Sequence, residues 1–182
     1  MVKSKSAYSV AGKLGKLETH TFVVWVDNES GVLARVVGLF SGRGYNIDSL
    51  TVAEVDKKNN LSRITIVTTG TAQVIAQIRL QLKKLIPVHK VADFLRDDKK
   101  IIYREMALFK VVSSLKKQKK AKKLCNKYNS VIVDKTKKSI VVQVTALKSE
   151  IDKLVNNLGP MGLASVSRTG VVAMTKGVEV FK

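Results

Sequence analysis

The chain has 182 residues, of which 45% are hydrophobic and 26% charged, and its formal net charge is +19. This length accommodates two small domains, and no apolar run approaches the roughly 18 residues that a membrane-spanning helix requires. One cysteine and two histidines exclude an internal disulfide and do not provide the ligand set of a structural zinc site.

The first 19 residues contain four lysines, one acidic residue and no apolar core of the kind found in a secretory signal. We interpret them as an N-terminal extension, either a flexible tail or the remnant of an organelle-targeting segment, and favour the tail. The single Cys125 favours a reducing compartment, which suits a bacterial cytoplasm or a plastid stroma.

A first domain is predicted over residues 20–95. Its strands are expected at 20–27, 45–55, 61–69 and 88–94. The first helix follows Ser30, the expected N-cap, and ends at Gly42-Arg43-Gly44, where a left-handed residue closes it. The second helix begins near Thr71 and ends before Pro87. The order βαββαβ is typical of a ferredoxin-like unit, an antiparallel sheet with both helices on one face.

The same order repeats over residues 101–177, after a polar linker at 95–100. Strands are expected at 103–112, 130–134, 139–146 and 163–174, and helices at 115–129 and 150–158. The predicted fold class is therefore α+β, with tandem ferredoxin-like βαββαβ units. Because units of about 75 residues bury little surface and such sheets commonly pair edge to edge, we expect a dimer.

The positive charge is concentrated in the second half of the chain. Residues 1–98 carry 14 basic and 9 acidic residues, whereas residues 99–182 carry 19 and 5, and "KKQKKAKK" at 116–123 is the densest run. Such a field attracts polyanions. The run has no arginine or interleaved aromatic residue, so base readout and stacking are disfavoured. A solvated helix face is the favoured interpretation, and nucleic-acid binding the less favoured one.

Catalytic groups do not form a recognisable constellation. His20 and His89 fall on predicted strands, where structural or exposed roles are favoured. Cys125 follows the lysine run, whose cations would lower the pKa of the thiol, but an unreactive residue on a helix face is the favoured interpretation. We therefore predict neither catalytic nor metal-binding residues.

The start of the first helix has the features of an anion site. A helix N-terminus presents unpaired N–H groups that suit a carboxylate, and Gly31 lets a ligand approach the backbone there. Asn28 offers an amide oxygen to an ammonium group. Val32 and Leu33 offer apolar contacts, and Asn46 begins the neighbouring strand. These groups together match a branched-chain amino acid, although Ser30 as a cap and Gly31 in a tight turn explain the same residues structurally. From the residues alone, the structural explanation is favoured.

The segment "NESGVLARVVGLFSGRGYNIDSLTV" at 28–52 resembles the small, regulatory subunit of acetolactate (acetohydroxyacid) synthase, whose N-terminal half is an ACT domain. The resemblance continues through "LSRITIVTTG" and "QLKKLIPVHKVADF", and resumes at Arg104-Glu105 and at "SRTGVVAMTKG". It covers most of residues 20–177 and is weakest around 113–130.

The resemblance implies a non-catalytic subunit that binds a large, thiamine-diphosphate-dependent subunit, raises its activity and confers feedback inhibition by valine or a related amino acid. It implies that the effector lies between the ACT domains of two chains. Its expected contacts are Asn28, Gly31, Val32 and Leu33 of one chain, with Asn46 and Ile47 of the other. Residues 101–177 would form a second, ACT-like domain that takes part in subunit contact. Thiamine diphosphate, Mg²⁺ and FAD would belong to the catalytic partner, with no cofactor in this chain.

Three features depart from the resemblance. Trp25 is bulkier than expected in the first strand, and the N-terminal extension before His20 is longer than the motif requires. The lysine-rich helix at 116–123 is unusual, and it indicates either a very acidic partner surface or a drift in composition. The alternatives are a free-standing ACT sensor of another enzyme, which would lack the thiamine-dependent partner, and a basic nucleic-acid-binding protein, whose binding would depend steeply on salt.

Overall fold

The structure is a computed structural model that describes residues 15–96 and 98–180. The chain divides into two compact units between Lys99 and Lys100. Each unit is a four-stranded antiparallel sheet with two helices in the order βαββαβ, so the predicted α+β class and the repeat of the ferredoxin-like unit are confirmed. Most of the predicted N-terminal extension lies outside the described residues, and the first strand begins at Leu17, three residues before the predicted start.

The first unit contains four strands in the sheet order β2-β3-β1-β4. Its elements are β1 (Leu17–Asp27), α1 (Val32–Ser41), β2 (Ser49–Asp56), β3 (Leu61–Thr71), α2 (Ala72–Leu82) and β4 (Val88–Leu95). The two edge strands are β2 and β4, and α1 leads from the inner strand β1 to the edge strand β2.

Successive side chains of β1 point to opposite faces of this sheet. Phe22, Val24 and Val26 pack in one buried cluster with the apolar side chains of α1 and α2. Trp25 therefore lies on the face away from the helices, where the Arg63 guanidinium carbon is 5.1 Å from the centre of its ring. The bulky residue thus does not enter the helix-covered core.

The end of α1 follows the predicted glycine signal, with the left-handed residue at Gly44 (φ 66°) and Gly42 still right-handed (φ −65°). The N–H of Tyr45 donates to the Phe40 carbonyl at 2.9 Å, and that of Gly44 to the Ser41 carbonyl at 3.1 Å. These two bonds form a Schellman motif, and the edge-to-face contact of Phe40 and Tyr45 supplies its apolar component. Because the motif continues through residue 45, β2 begins at Ser49 rather than at the predicted residue 45.

The second unit repeats the arrangement with the sheet order β6-β7-β5-β8. Its elements are β5 (Ile101–Val112), α3 (Leu115–Cys125), β6 (Val131–Lys135), β7 (Ser139–Ala146), α4 (Lys148–Leu158) and β8 (Leu163–Thr175). A short 3₁₀ turn at Asn126–Tyr128 follows α3, so the helix is shorter than predicted. Phe109 of β5, Val142 of β7 and Leu154 of α4 lie in the core of this unit.

Gly162 occupies a tight backbone crossing where α4 gives way to β8. Its φ is 94°, its carbonyl accepts a hydrogen bond from the N–H of Val112 at 2.9 Å, and a Cβ at this position would lie 2.6 Å from the Val112 carbonyl oxygen. Any side chain would therefore add a steric clash to an unfavourable backbone conformation.

We expect Gly162→Ala to lower the free energy of unfolding by about 2 kcal/mol or more, because the left-handed conformation alone costs roughly 1–2 kcal/mol. Gly159→Ala is the matched control, since Gly159 is right-handed (φ −47°) and a Cβ there meets nothing within 4 Å. Urea denaturation followed by circular dichroism measures both. Equal free energies of unfolding in the two variants would contradict the inference that the backbone at Gly162 leaves no room for a side chain.

Candidate functional site

Asn28 follows the last residue of β1 and is held by two neighbours that the sequence did not single out. Its side-chain Oδ1 accepts a hydrogen bond from Ser62 Oγ at 2.9 Å. Its backbone N–H donates to the carbonyl of Asn60 at 2.8 Å, and Asn60 has a left-handed φ of 52°. The bond from Ser62 fixes the plane of the amide and directs Nδ2, a donor, away from Ser62.

Gly31 is the N-cap of α1, with φ 84° and ψ −8°, and α1 begins without a side-chain cap. The prediction that Ser30 caps this helix is therefore wrong. The left-handed conformation turns the exit of β1 into the helix and suits a residue without Cβ. A Cβ at Gly31 would meet nothing within 4 Å, so the space beside the first turn is open. The N–H of Val32 donates to the Glu29 carbonyl at 3.4 Å, and the N–H groups that follow it have no side-chain cap. Together with the positive end of the helix dipole, these groups suit an anion.

Val32 and Leu33 point in different directions from this turn. Val32 is 4% exposed and packs in the core beneath α1, whereas Leu33 is 37% exposed. A ligand beside Gly31 would thus meet the side chain of Leu33, while Val32 contributes its backbone and supports the turn from below.

Asn46 and Ile47 lie in the short connection between α1 and β2. Asn46 is exposed, its carbonyl accepts a hydrogen bond from Thr68 Oγ1 at 2.6 Å, and its Nδ2 donates to Asp48 Oδ1 at 2.6 Å. Ile47 is partly buried against the core of the unit. These bonds attach the connection to β3 and orient the amide of Asn46 with Nδ2 already engaged.

The six predicted effector residues form two groups at opposite ends of α1. Asn28, Gly31, Val32 and Leu33 surround its start, and Asn46 and Ile47 follow its end. A ten-residue helix is about 15 Å long, which exceeds the reach of one amino acid. Within one chain, therefore, the two groups do not line the same small site.

The remaining titratable residues that the sequence analysis considered take structural positions. The ring Nδ1 of His20 lies 2.6 Å from Asp93 Oδ1, and Nε2 of His89 lies 2.6 Å from Asp27 Oδ1. Cys125 is fully buried in the core of the second unit, and burial raises the pKa of its thiol to about 11. The adjacent lysines therefore do not activate it as a nucleophile.

Across residues 15–96 and 98–180, no group of three or more histidine, cysteine, aspartate or glutamate side chains is arranged to hold a metal ion. None of the helices within these residues combines the length and the apolarity needed to cross a membrane.

Comparison with known families assigns both units. Residues 22–90 match the family model "AHAS small subunit-like ACT domain", and residues 104–177 match "Small subunit of acetolactate synthase". The chain is 37% identical over 158 residues to the probable acetolactate synthase small subunit of Archaeoglobus fulgidus, covering 87% of this chain and 97% of that protein. The chain belongs to the acetolactate synthase small subunit family.

Other members of the acetolactate synthase small subunit family agree with this assignment. The Haemophilus influenzae protein is 39% identical over 155 residues, which are 85% of this chain and 93% of that one. The crystal structure of the Thermotoga maritima small subunit superimposes with a TM-score of 0.79 at 33% identity, over 87% of this chain and 98% of that chain. The resemblance read from the sequence is therefore confirmed, and the family places the chain in branched-chain amino-acid biosynthesis with a regulatory subunit role.

A partly buried ion pair lies in the part of the chain that matches the C-terminal small-subunit model. Glu105 of β5 is 3% exposed, and Arg168 of β8 donates to both of its carboxylate oxygens at 2.7 Å. A third bond runs from Arg168 to Asp152 Oδ1 at 2.6 Å. The hydrogen bond to Glu105 raises the pKa of Arg168, so the guanidinium stays charged. Burial opposes ionisation of Asp152, but the bond from Arg168 and the charge of Lys148 outweigh it and lower its pKa.

Glu105 and Arg168 lie within the segments that carry the family resemblance, but the sequence alone predicted no role for either residue. Strand alternation was the available signal, because Glu105 shares its face of β5 with Ala107, Phe109 and Val111, which are all in the core. A carboxylate on such a face requires a charged partner.

We expect Arg168→Met to lower the free energy of unfolding by roughly 3 kcal/mol, because it leaves the Glu105 carboxylate buried without a partner. Lys148→Met is the matched control: Lys148 contacts the exposed side of Asp152 at 3.5 Å, and its loss should change stability by less than about 1 kcal/mol. Urea denaturation of both variants measures the difference. Similar losses in the two variants would show that the pair with Glu105 is not the stabilising contact.

Proposed function

We propose that this chain is the non-catalytic regulatory subunit of an acetolactate synthase. It binds the thiamine-diphosphate-dependent catalytic subunit, raises its activity, and makes that activity sensitive to feedback inhibition by valine or a related branched-chain amino acid. Membership of the small subunit family supports this role, as does the open, uncapped start of α1 at Gly31.

The effector proposal rests on one geometric observation: the two groups of candidate residues lie at opposite ends of α1. A twofold axis between two chains would place the start of one α1 beside the end of the other. Such an isologous interface produces two equal sites, each with Asn28, Gly31 and Leu33 from one chain and Asn46 and Ile47 from the second. The edge strand β2, which α1 leads into, is the natural strand to meet its copy across this axis.

Each polar group of an amino acid has a partner in this arrangement. The carboxylate accepts hydrogen bonds from the N–H groups at the start of α1 and from Asn28 Nδ2, which the Ser62 contact leaves available. This use differs from the expectation that Asn28 binds the ammonium group through its oxygen. The Oδ1 of Asn46 in the second chain instead accepts from the ammonium group, since its Nδ2 is engaged by Asp48. Leu33 and Ile47 contact the branched side chain.

The catalytic chemistry belongs to the partner. Thiamine diphosphate, Mg²⁺ and FAD would be held by the large subunit, and this chain would act on it through contacts that change when the effector stabilises one arrangement of the dimer. Such coupling requires that the effector bind one arrangement more tightly than the other. The match of residues 104–177 to the C-terminal small-subunit model favours this role over a free-standing ACT sensor.

A mixing experiment tests the subunit role. We expect the purified chain to form a complex with the large subunit of an acetolactate synthase from the same organism and to raise its rate of acetolactate formation several-fold. Added valine should reverse that increase. A chain that neither co-purifies with the large subunit nor changes its rate would be a sensor for another enzyme.

The variant Gly31→Asp tests the effector site within that complex. It places a carboxylate where the carboxylate of the ligand is expected, so the valine concentration for half inhibition should rise by about 100-fold or more, because facing like charges cost several kcal/mol. Activation of the large subunit should persist, since the substitution does not change the core. Inhibition curves of acetolactate formation measure the shift.

Gly31→Asn is the matched control, because asparagine has the same shape and tolerates the same left-handed backbone without the charge. We expect the aspartate variant to lose at least about tenfold more valine sensitivity than the asparagine variant. Full sensitivity of the Gly31→Asp complex would place the effector elsewhere while leaving the subunit role intact.

A further inference from the structure

A dense basic surface covers α3 and the turn between β6 and β7. We call it the lysine surface and define it by ten exposed lysines: Lys116, Lys117, Lys119, Lys120, Lys122, Lys123, Lys127, Lys135, Lys137 and Lys138. Residues 113–139 contain these ten lysines, no arginine and one acidic residue, Asp134. Among the described residues, none of the ten lysines takes part in an ion pair.

The fold joins the helix and the turn into one surface. Gln118, which is buried on the inner side of α3, donates from Nε2 to the carbonyls of Ser113 and Lys137 at 2.9 and 3.3 Å. The N–H of Ser113 donates to the carbonyl of Lys138 at 2.9 Å. The start of α3 and the β6–β7 turn are therefore fixed side by side, which the lysine run in the sequence does not reveal.

Most of this charge does not benefit the stability of α3. Lys116 and Lys120, like Lys119 and Lys123, are four residues apart, and such like-charged pairs each cost a few tenths of a kcal/mol. Lys116 and Lys117 also lie in the first turn, which contains no acidic residue and where the helix dipole disfavours a positive charge. Only Lys122 and Lys123, in the last turn, lie where the helix dipole favours a positive charge. A helix that keeps the other four lysines in unfavourable positions favours a binding role.

The composition of the lysine surface does not suit a protein partner. Protein interfaces depend on buried aromatic, arginine and apolar anchors and are depleted in lysine. On α3 the outward positions are lysines, apart from Leu115 at its first residue, and the single aromatic residue of 113–139, Tyr128, packs against the core.

A membrane is disfavoured by the orientation of the same helix. A helix that binds a bilayer inserts its apolar face between the lipids. Ala121 and Cys125 of α3 are fully buried in the core of the second unit, and Leu124 packs against that core. Leu115 alone is an exposed apolar residue of α3, so the helix has no apolar face to insert.

We propose that the lysine surface binds the phosphate backbone of double-stranded nucleic acid without sequence specificity. Lysines contact phosphates as solvated point charges and release counterions when they do so, which requires no apolar anchor. The absence of arginine excludes the usual bidentate recognition of guanine, and the absence of an exposed aromatic residue excludes stacking on single strands. The lack of arginine and of an exposed aromatic residue thus disfavours base recognition but leaves binding to the phosphate backbone possible. The proposed nucleic-acid binding is independent of effector binding at Gly31.

The test measures binding of the full chain to a fluorescein-labelled 20-base-pair DNA duplex of mixed sequence, by anisotropy across a salt series. The variant Lys116→Gln, Lys119→Gln, Lys120→Gln, Lys123→Gln removes four charges from α3. We expect its affinity at low salt to fall by about tenfold or more, and the slope of log affinity against log salt to fall by about 3–4, because each phosphate contact contributes about 0.9. Glutamine and lysine have similar helix propensities, so circular dichroism should show an intact fold.

The control variant Lys57→Gln, Lys58→Gln, Lys83→Gln, Lys84→Gln makes the same change in net charge on exposed lysines of the first unit. It should keep most of the affinity and nearly the full salt slope. An equal loss in both variants would mean that net charge alone attracts the duplex, and an unchanged slope in the α3 variant would mean that the duplex binds elsewhere. Either result, or binding of a 20-nucleotide single strand as tightly as the duplex, overturns the proposal.

Discussion

The left-handed conformation of Gly31 determines how the first unit is built around its inner strand. β1 must leave the sheet and turn into α1 within four residues, and a residue with φ 84° makes that change of direction without a side-chain cap. One consequence is packing, because the turn directs Val32 into the core. The other is chemical, because the first turn has no side-chain cap and a Cβ at Gly31 would meet nothing within 4 Å. The same backbone constraint therefore serves both the fold and the candidate site.

Most of the fold follows from local signals in the sequence, and the differences have local causes. The end of α1 was predictable because Gly44 supplies the left-handed residue that a Schellman motif needs. Ser30 was a reasonable cap by side-chain preference, but the backbone at Gly31 decides the start of the helix. The pairing of Glu105 with Arg168 could be predicted only in part from the sequence. The alternation of buried and exposed residues along β5 places Glu105 in the core, but it does not identify Arg168 as the partner. In the proposed site the two ends of α1 meet only across a second chain, and the spacing of residues within one chain does not describe that contact.

The second unit shows two ways in which a protein accommodates charge. At Glu105 and Arg168, opposite charges are brought together in a partly buried position and satisfy each other's hydrogen bonds. On α3, charges of one sign remain in solvent, where water and counterions reduce their repulsion. Salt screens the first arrangement much less than the second, because Glu105 is buried whereas the lysines are exposed. The shared βαββαβ order of the two units therefore does not impose a shared surface chemistry.

The hydrogen bonds that hold Asn46 have a thermodynamic consequence. Its connection is fixed at one end by the Schellman motif of α1 and at the other by Thr68 of β3, and Asn28 is likewise held by Ser62. Groups that are ordered before a ligand arrives lose little conformational entropy when it binds. In the proposed dimer, more of the binding free energy would then be available to bias the arrangement of the two chains, rather than being consumed in ordering loops. In the proposed site, a ligand would therefore bind between groups that are already ordered and would stabilise one arrangement of the two chains.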